Sequence, residues 1–165
     1  MPNNKGKYLT PYLTPYVSGI YDVDNDIEAI GNFMARTLKL PPSVQGIFRN
    51  FSTAEFIEEN LGQMFGLTID QKASLVRIIR GILLADEFLG DFPSLISSRL
   101  GVEMNTANQI AQKIVNELFA PAMEDIKNMQ RGKFRDRIAQ TRSSQTQQPP
   151  PNVSTEGNVI NLRHK

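Results

Sequence analysis

Cysteine is absent from the 165 residues, and histidine occurs once, at position 164. Without cysteine there is no disulfide framework, no thiolate metal site and no cysteine nucleophile. The absence suits a reducing cytosol. A general base must be held in place to work, and His164 lies in a polar terminal stretch where nothing is expected to hold it. Glycine patterns that cradle phosphate are missing too: Gly81, Gly90 and Gly132 belong to neither GxxxxGK[ST] nor GxGxxG. The longest apolar stretch, near 75–88, is interrupted by Arg77, Arg80, Asp86 and Glu87, which makes it too short and too charged to span a bilayer. Lys5 and Lys7 are not followed by an apolar core, so no secretory signal is expected.

The acids that are present do not assemble a site. Glu58 and Glu59, like Glu124 and Asp125, are adjacent and point apart on a helix. Asp22, Asp24 and Asp26 alternate as at the start of a calcium loop. The sixth position, where such a loop needs glycine, is Ile27, and the twelfth, where it needs glutamate, is Phe33. The triplet reads instead as an acidic helix start complementing the helix dipole. The expectation is a protein that is not an enzyme, with no cofactor and no metal.

Charge is distributed unevenly. Residues 20–125 carry 8 basic and 15 acidic side chains, whereas 126–142 carry 6 basic ones (Lys127, Arg131, Lys133, Arg135, Arg137 and Arg142) against Asp136 alone. An acidic body repels nucleic acid, and only the basic extension attracts it. Two functional readings fit the extension: phosphate contact on RNA or DNA, or docking on an acidic protein or membrane surface. The preferred plain reading is a solvated helix end, with cations favoured there by the dipole.

Hydrophobic periodicity predicts an all-α fold, a compact bundle of about five to six helices. Helices begin near Asp24, with Ile27, Ile30, Met34 and Leu38 on one face, and Pro41–Pro42 ends the first. A short helical turn follows at 43–50. Ser52 with Glu55, and Thr68 with Gln71, form capping-box patterns. Phe56, Leu61, Met64 and Phe65 are expected to face inward, and Gly66 and Gly101 to end helices in the left-handed conformation. The stripe Ala73, Leu75, Val76, Ile78, Ile79, Ile82, Leu83, Leu84 is too wide for a surface helix and marks the central one. Asp91 is expected to cap a short helix, and Asn105 to start a long one that Pro121 kinks without ending. In its continuation Arg131, Arg135 and Arg142 line one side and Phe134 and Ile138 another.

The predicted organisation is an extended arm at 1–20, a helical domain at 21–139, a flexible linker at 140–157 and a terminal peptide at 158–165. The arm rests on YLTPYLTPY, whose prolines argue against helix. Its tyrosines, Tyr8, Tyr12 and Tyr16, are candidate anchors, on the body or on a partner. The linker, polar and rich in proline, cannot bury enough surface to order itself. Beyond it Val159, Ile160 and Leu162 form an apolar patch suited to partner capture. The body also contains an ungapped repeat at an offset of 35 residues: Phe65-Gly66-Leu67-x-x-Asp70 against Leu100-Gly101-Val102-x-x-Asn105, followed by Leu75/Ile110, Ile79/Ile114 and Leu83/Leu118. Two duplicated helical hairpins would share one core.

LPPSVQGIF at 40–48, FGLTIDQKASL at 65–75, ILLADEFLGDF at 82–92 and IAQKIVNELFAPAMEDIK at 110–127 resemble a group of small helical proteins of candidate phyla radiation bacteria. The resemblance implies a helical fold and a prokaryotic cytoplasm, and nothing catalytic. The functional expectation is a protein-binding or accessory module of a larger bacterial assembly. The alternative is a nucleic-acid-associated protein using the 126–142 extension.

Overall fold

Six aliphatic side chains in a nine-residue span determine where everything else must pack. Leu75, Val76, Ile78, Ile79, Ile82 and Leu83 lie on one helix, and each is at most 1% exposed. A stripe that wide needs cover on most sides, and the other helices supply it. The computed structural model describes residues 13–23 and 25–145, with backbone alone for 141–145. Among these there is no strand.

The order is α1 (Pro15–Asp22), α2 (Ile27–Leu38), α3 (Pro42–Arg49), α4 (51–65), α5 (Ile69–Leu83), α6 (Phe92–Leu100), α7 (104–118), α8 (Met123–Lys133) and α9 (Arg135–Gln145). Helix α4 turns π-helical over Phe56–Gly62, and α7 over Ile114–Leu118. The central helix α5 contacts α1, α3, α4 and α6, while α7 packs on α6. The chain divides into two units, up to Arg135 and from Asp136. The first holds one hydrophobic core from Leu13 to Ile126; of the second, α9 is described by itself.

The repeat is visible in the backbone. Gly66 (φ 61°) and Gly101 (φ 65°) are both left-handed. The helices that follow begin at Ile69 and Met104 and run to Leu83 and Leu118, in the same register. Leu61 and Ile96, Leu75 and Ile110, and Ile79 and Ile114 are fully buried in both copies. The hairpins are tied where Gln71 Nε2 donates to the Leu100 carbonyl at 2.8 Å. The caps sit two residues earlier than Asp70 and Asn105: Thr68 with Gln71 closes a full capping box, and Glu103 occupies the equivalent position without a side-chain bond.

Several expectations are corrected. Residues 15–20 are helical where extended chain was expected, because Pro15 occupies the first helical position, where its missing N–H costs nothing. Thr14 caps this helix by accepting from the Val17 N–H at 3.2 Å. On α2 the buried residues are Phe33 and Thr37, while Ile27, Met34 and Leu38 are 86%, 41% and 64% exposed. Phe33 wins because α1 offers it a glycine: a Cβ on Gly19 would lie 2.0 Å from the Phe33 ring. On α4, Ile57 and Leu61 are buried and Met64 is 63% exposed; the wider π turn shifts the inward face away from a 3.6-residue extrapolation. Asn50, not Ser52, caps α4, by accepting from the Ser52 N–H at 3.0 Å. Asp91 occupies the cap position of α6 but makes no capping bond.

Pro121 lies in a 3-10 turn, Ala120–Ala122, that ends α7 and lets α8 start afresh. A second break follows at Phe134 (φ −114°, ψ 33°), so Arg131 and Arg135 stand on different helices. Helix α9 reaches Gln145, into the expected linker. Alanine, glutamine and arginine are good helix formers, and a sequence that cannot build a core can still satisfy its own backbone.

Ile79→Ala is expected to destabilise by about 2–5 kcal/mol, since it empties fully buried volume. Gly19→Ala should cost about 1–3 kcal/mol by driving a methyl into the Phe33 ring. Arg77→Ala, at a half-exposed ion pair, should cost about 1 kcal/mol or less. Denaturant titrations of the three variants check the ranking; equal effects would mean the buried face is misassigned.

Candidate interaction site

The charged side chains of the body serve first as fasteners between helices. Asp22, at the end of α1, accepts from Arg77 Nε at 2.9 Å and from Arg80 Nη2 at 2.7 Å, both on α5. Arg80 also donates to Ser18 Oγ at 3.1 Å. Asp86, beyond α5, accepts from Arg36 of α2 at 2.9 Å and from Lys133 of α8 at 3.1 Å. Burial works to raise both carboxyls, but the hydrogen bonds and charges of their cationic partners outweigh it, and both are held below the usual aspartate value. Lys72, only 9% exposed, meets Glu58 of the π-helical stretch at 2.5 Å. Asp26, of the aspartate triplet, caps α2 by accepting from the Ala29 N–H at 3.0 Å.

Gln130 is a fastener that the sequence reading missed. It sits within the basic run yet is 3% exposed. Its Oε1 accepts from the Leu89 N–H at 3.0 Å, and its Nε2 donates to the Ile82 and Glu87 carbonyls at 3.2 and 3.0 Å. The only signal available was its position four residues after Ile126, one turn along the inner face of α8.

The six basic candidates are divided between two helices, Lys127, Arg131 and Lys133 on α8 and Arg135, Arg137 and Arg142 on α9. Lys127 is half-exposed on α8, with a 3.5 Å contact to Glu124. Arg131 donates to Asn128 at 2.9 Å, and Lys133 is engaged by Asp86. Arg135 and Arg137 are exposed on α9; only the backbone is described at Arg142. Tyr16 lies half-buried on α1, its ring centroid 6.0 Å from Phe33 and 6.4 Å from Phe48, with the Arg49 guanidinium 4.6 Å above it. Tyr8, Tyr12, Val159, Ile160 and Leu162 lie outside the described residues.

What the body does offer is an apolar cleft of about 520 Å³ between the start of α6, the outer side of α7 and α8. Phe92, Pro93, Val115 and Met123 supply apolar wall, while Asn108, Gln112 and Lys127 bring polar groups to it. Phe92 is stacked on Phe119 at 5.8 Å and 19°, which stiffens the floor. The volume falls in the usual range for pockets that take an apolar ligand or side chain. Among the described residues no group of three or more His, Cys, Asp or Glu is placed to hold a metal ion, and no helix is long and apolar enough to cross a membrane.

The lowered aspartates have a consequence in acid. A carboxyl whose folded pKa is depressed contributes stability above its unfolded pKa of about 3.9, and loses it as pH falls through the folded value. Asp22→Asn/Asp86→Asn should therefore be less stable than the parent at neutral pH, and the gap should close below about pH 4. Denaturant titrations at several pH values check this; a gap independent of pH would mean that the carboxylate charge is not what matters.

Comparison with protein-family models, with curated proteins and with solved structures gives no match to this chain.

Proposed function

We propose that the chain is a non-enzymatic protein-interaction module, and that the cleft between α6, α7 and α8 receives apolar side chains of a protein partner. The observation that carries this reading is the cleft itself: apolar walls on a stiffened floor, with a few polar groups to fix orientation. Lys127, held only loosely by Glu124, suits a partner that carries a carboxylate beside its apolar anchor. An amphipathic helix laid in a groove has this chemistry. The terminal peptide with Val159, Ile160 and Leu162 would extend the same role as a second point of engagement. Membership of a bacterial assembly, and residence in the cytoplasm, belong to this proposal.

The nucleic-acid alternative rests on Arg135 and Arg137, exposed on α9. The separation of the basic run into two helices, with Lys133 committed to Asp86, weakens it, since phosphate binding draws on many cations acting together.

Gln112 is exposed on the cleft wall, so Gln112→Trp should fill the cleft and leave the fold intact. In affinity capture from the native host, wild type should retain a protein partner as salt rises to about 0.5 M, and Gln112→Trp, at an unchanged melting temperature, should lose it. Deleting 158–165 should weaken capture and leave the melting temperature nearly unchanged. A partner bound equally by wild type and Gln112→Trp excludes the cleft. RNA or DNA released steeply by salt would instead select the alternative.

A further inference from the structure

Helix α2 has two apolar faces, and the core uses one. Phe33 and Thr37 point inward. About 100° further round the helix, Ile27, Met34 and Leu38 stand in solvent. Single exposed apolar residues are ordinary, but these three share one stripe. Ile27 and Leu38, eleven residues apart, are separated by just over three turns and so point nearly the same way. Gly31, exposed beside the stripe, leaves its middle low, and Ala35, also exposed, adds little bulk on the neighbouring edge. No heavy atom lies within 4 Å of where a Cβ on Gly31 would stand.

Charge says what fits there. Glu28 and Lys39 are also eleven residues apart, so they lie on one edge of the stripe, an acid at its start and a base just past its end. Both are exposed, and neither takes part in an ion pair among the described residues. The opposite edge is committed to the body, since it is the face of Phe33 and Thr37, which are buried. A two-fold axis perpendicular to α2 places a second α2 antiparallel to the first and brings like edges together. Glu28 of each copy then meets Lys39 of the other, twice. Ile27 of each meets the Met34 and Leu38 end of the other, while Gly31 and Ala35 let the backbones approach. A parallel two-fold pair would set the Glu28–Lys39 edge of each copy against the far edge of the other, so the two charges would not meet.

We propose that the outer face of α2 is a homodimer interface in which two copies of this chain pair antiparallel, registered by reciprocal Glu28–Lys39 contacts. The surface is self-complementary, as an isologous contact requires. Three turns of helix bury less than the roughly 800 Å² per partner of a standard interface, so the dimer exchanges with monomer. This face is separate from the cleft, and its failure would leave the proposed function standing.

The test is sedimentation velocity on the full chain from about 1 to about 200 µM, a range suited to a micromolar equilibrium. Wild type should pass from monomer to dimer. Glu28→Lys and Lys39→Glu should each weaken dimerisation by about tenfold or more, because each turns two attractions into two repulsions. The double swap E28K/K39E should restore it. Leu38→Glu should abolish it, with an unchanged circular dichroism spectrum. Wild type that stays monomeric throughout would overturn the proposal, including the case in which residues 1–12 cover the face in cis. A dimer indifferent to the charge variants, or a double swap that fails to restore it, would overturn it as well.

Discussion

The structure depends on the impossibility of solvating α5. Leu75, Val76, Ile78, Ile79, Ile82 and Leu83 leave that helix little polar surface. Transfer of six such side chains from water is worth on the order of 10 kcal/mol before entropy is counted. No single helix can cover a stripe so broad. The helices α1, α3, α4 and α6 are arranged around it, and α7 packs in turn on α6. The two left-handed glycines, Gly66 and Gly101, make this possible by reversing the chain within a few residues, so that each hairpin presents two helices to the shared core.

Electrostatics then fixes the outer elements to that core. Asp22 joins α1 to α5, Asp86 joins α2 and α8 to the end of α5, and Gln130 ties α8 to the connection between α5 and α6. Each joins groups distant in sequence, Asp22 and Asp86 as acceptors and Gln130 as both donor and acceptor, so each specifies an arrangement more than it supplies energy; exposed ion pairs contribute little. The acidic excess of residues 20–125 is spread over the body, with several acids set against particular cations. The basic excess of 126–142 is likewise divided, part of it spent inside the fold.

The chemistry of the candidate sites was harder to read than the fold. Lys127 was visible as a charge in a run, and the structure places it beside an apolar cleft whose other members come from the 89–93 connection and from α7. Nothing in one stretch of sequence announces a surface assembled from three. Tyr16 was visible as part of a repeat that ends in a helix, and the second copy of its Thr-Pro pair proves to be that helix's cap and first residue. Gln130 had no compositional signature, because a buried glutamine and a solvated one look alike until its partners are in place.

Local chemistry alone determined the all-α class, the central place of α5, the left-handed turns at Gly66 and Gly101, the capping box at Thr68 and the register of the repeat. These follow from periodicity, from glycine's freedom at positive φ and from side chains bonding their own backbone, all of which act within a few residues. Only the tertiary structure decided which of two apolar faces of α2 is buried. Periodicity favours Ile27, Met34 and Leu38. The choice fell to Phe33 because Gly19, on another helix, leaves room for its ring, and Tyr16 and Phe48 pack against it. A helix presents its faces by sequence, but which face is covered depends on the shape of whatever reaches it first.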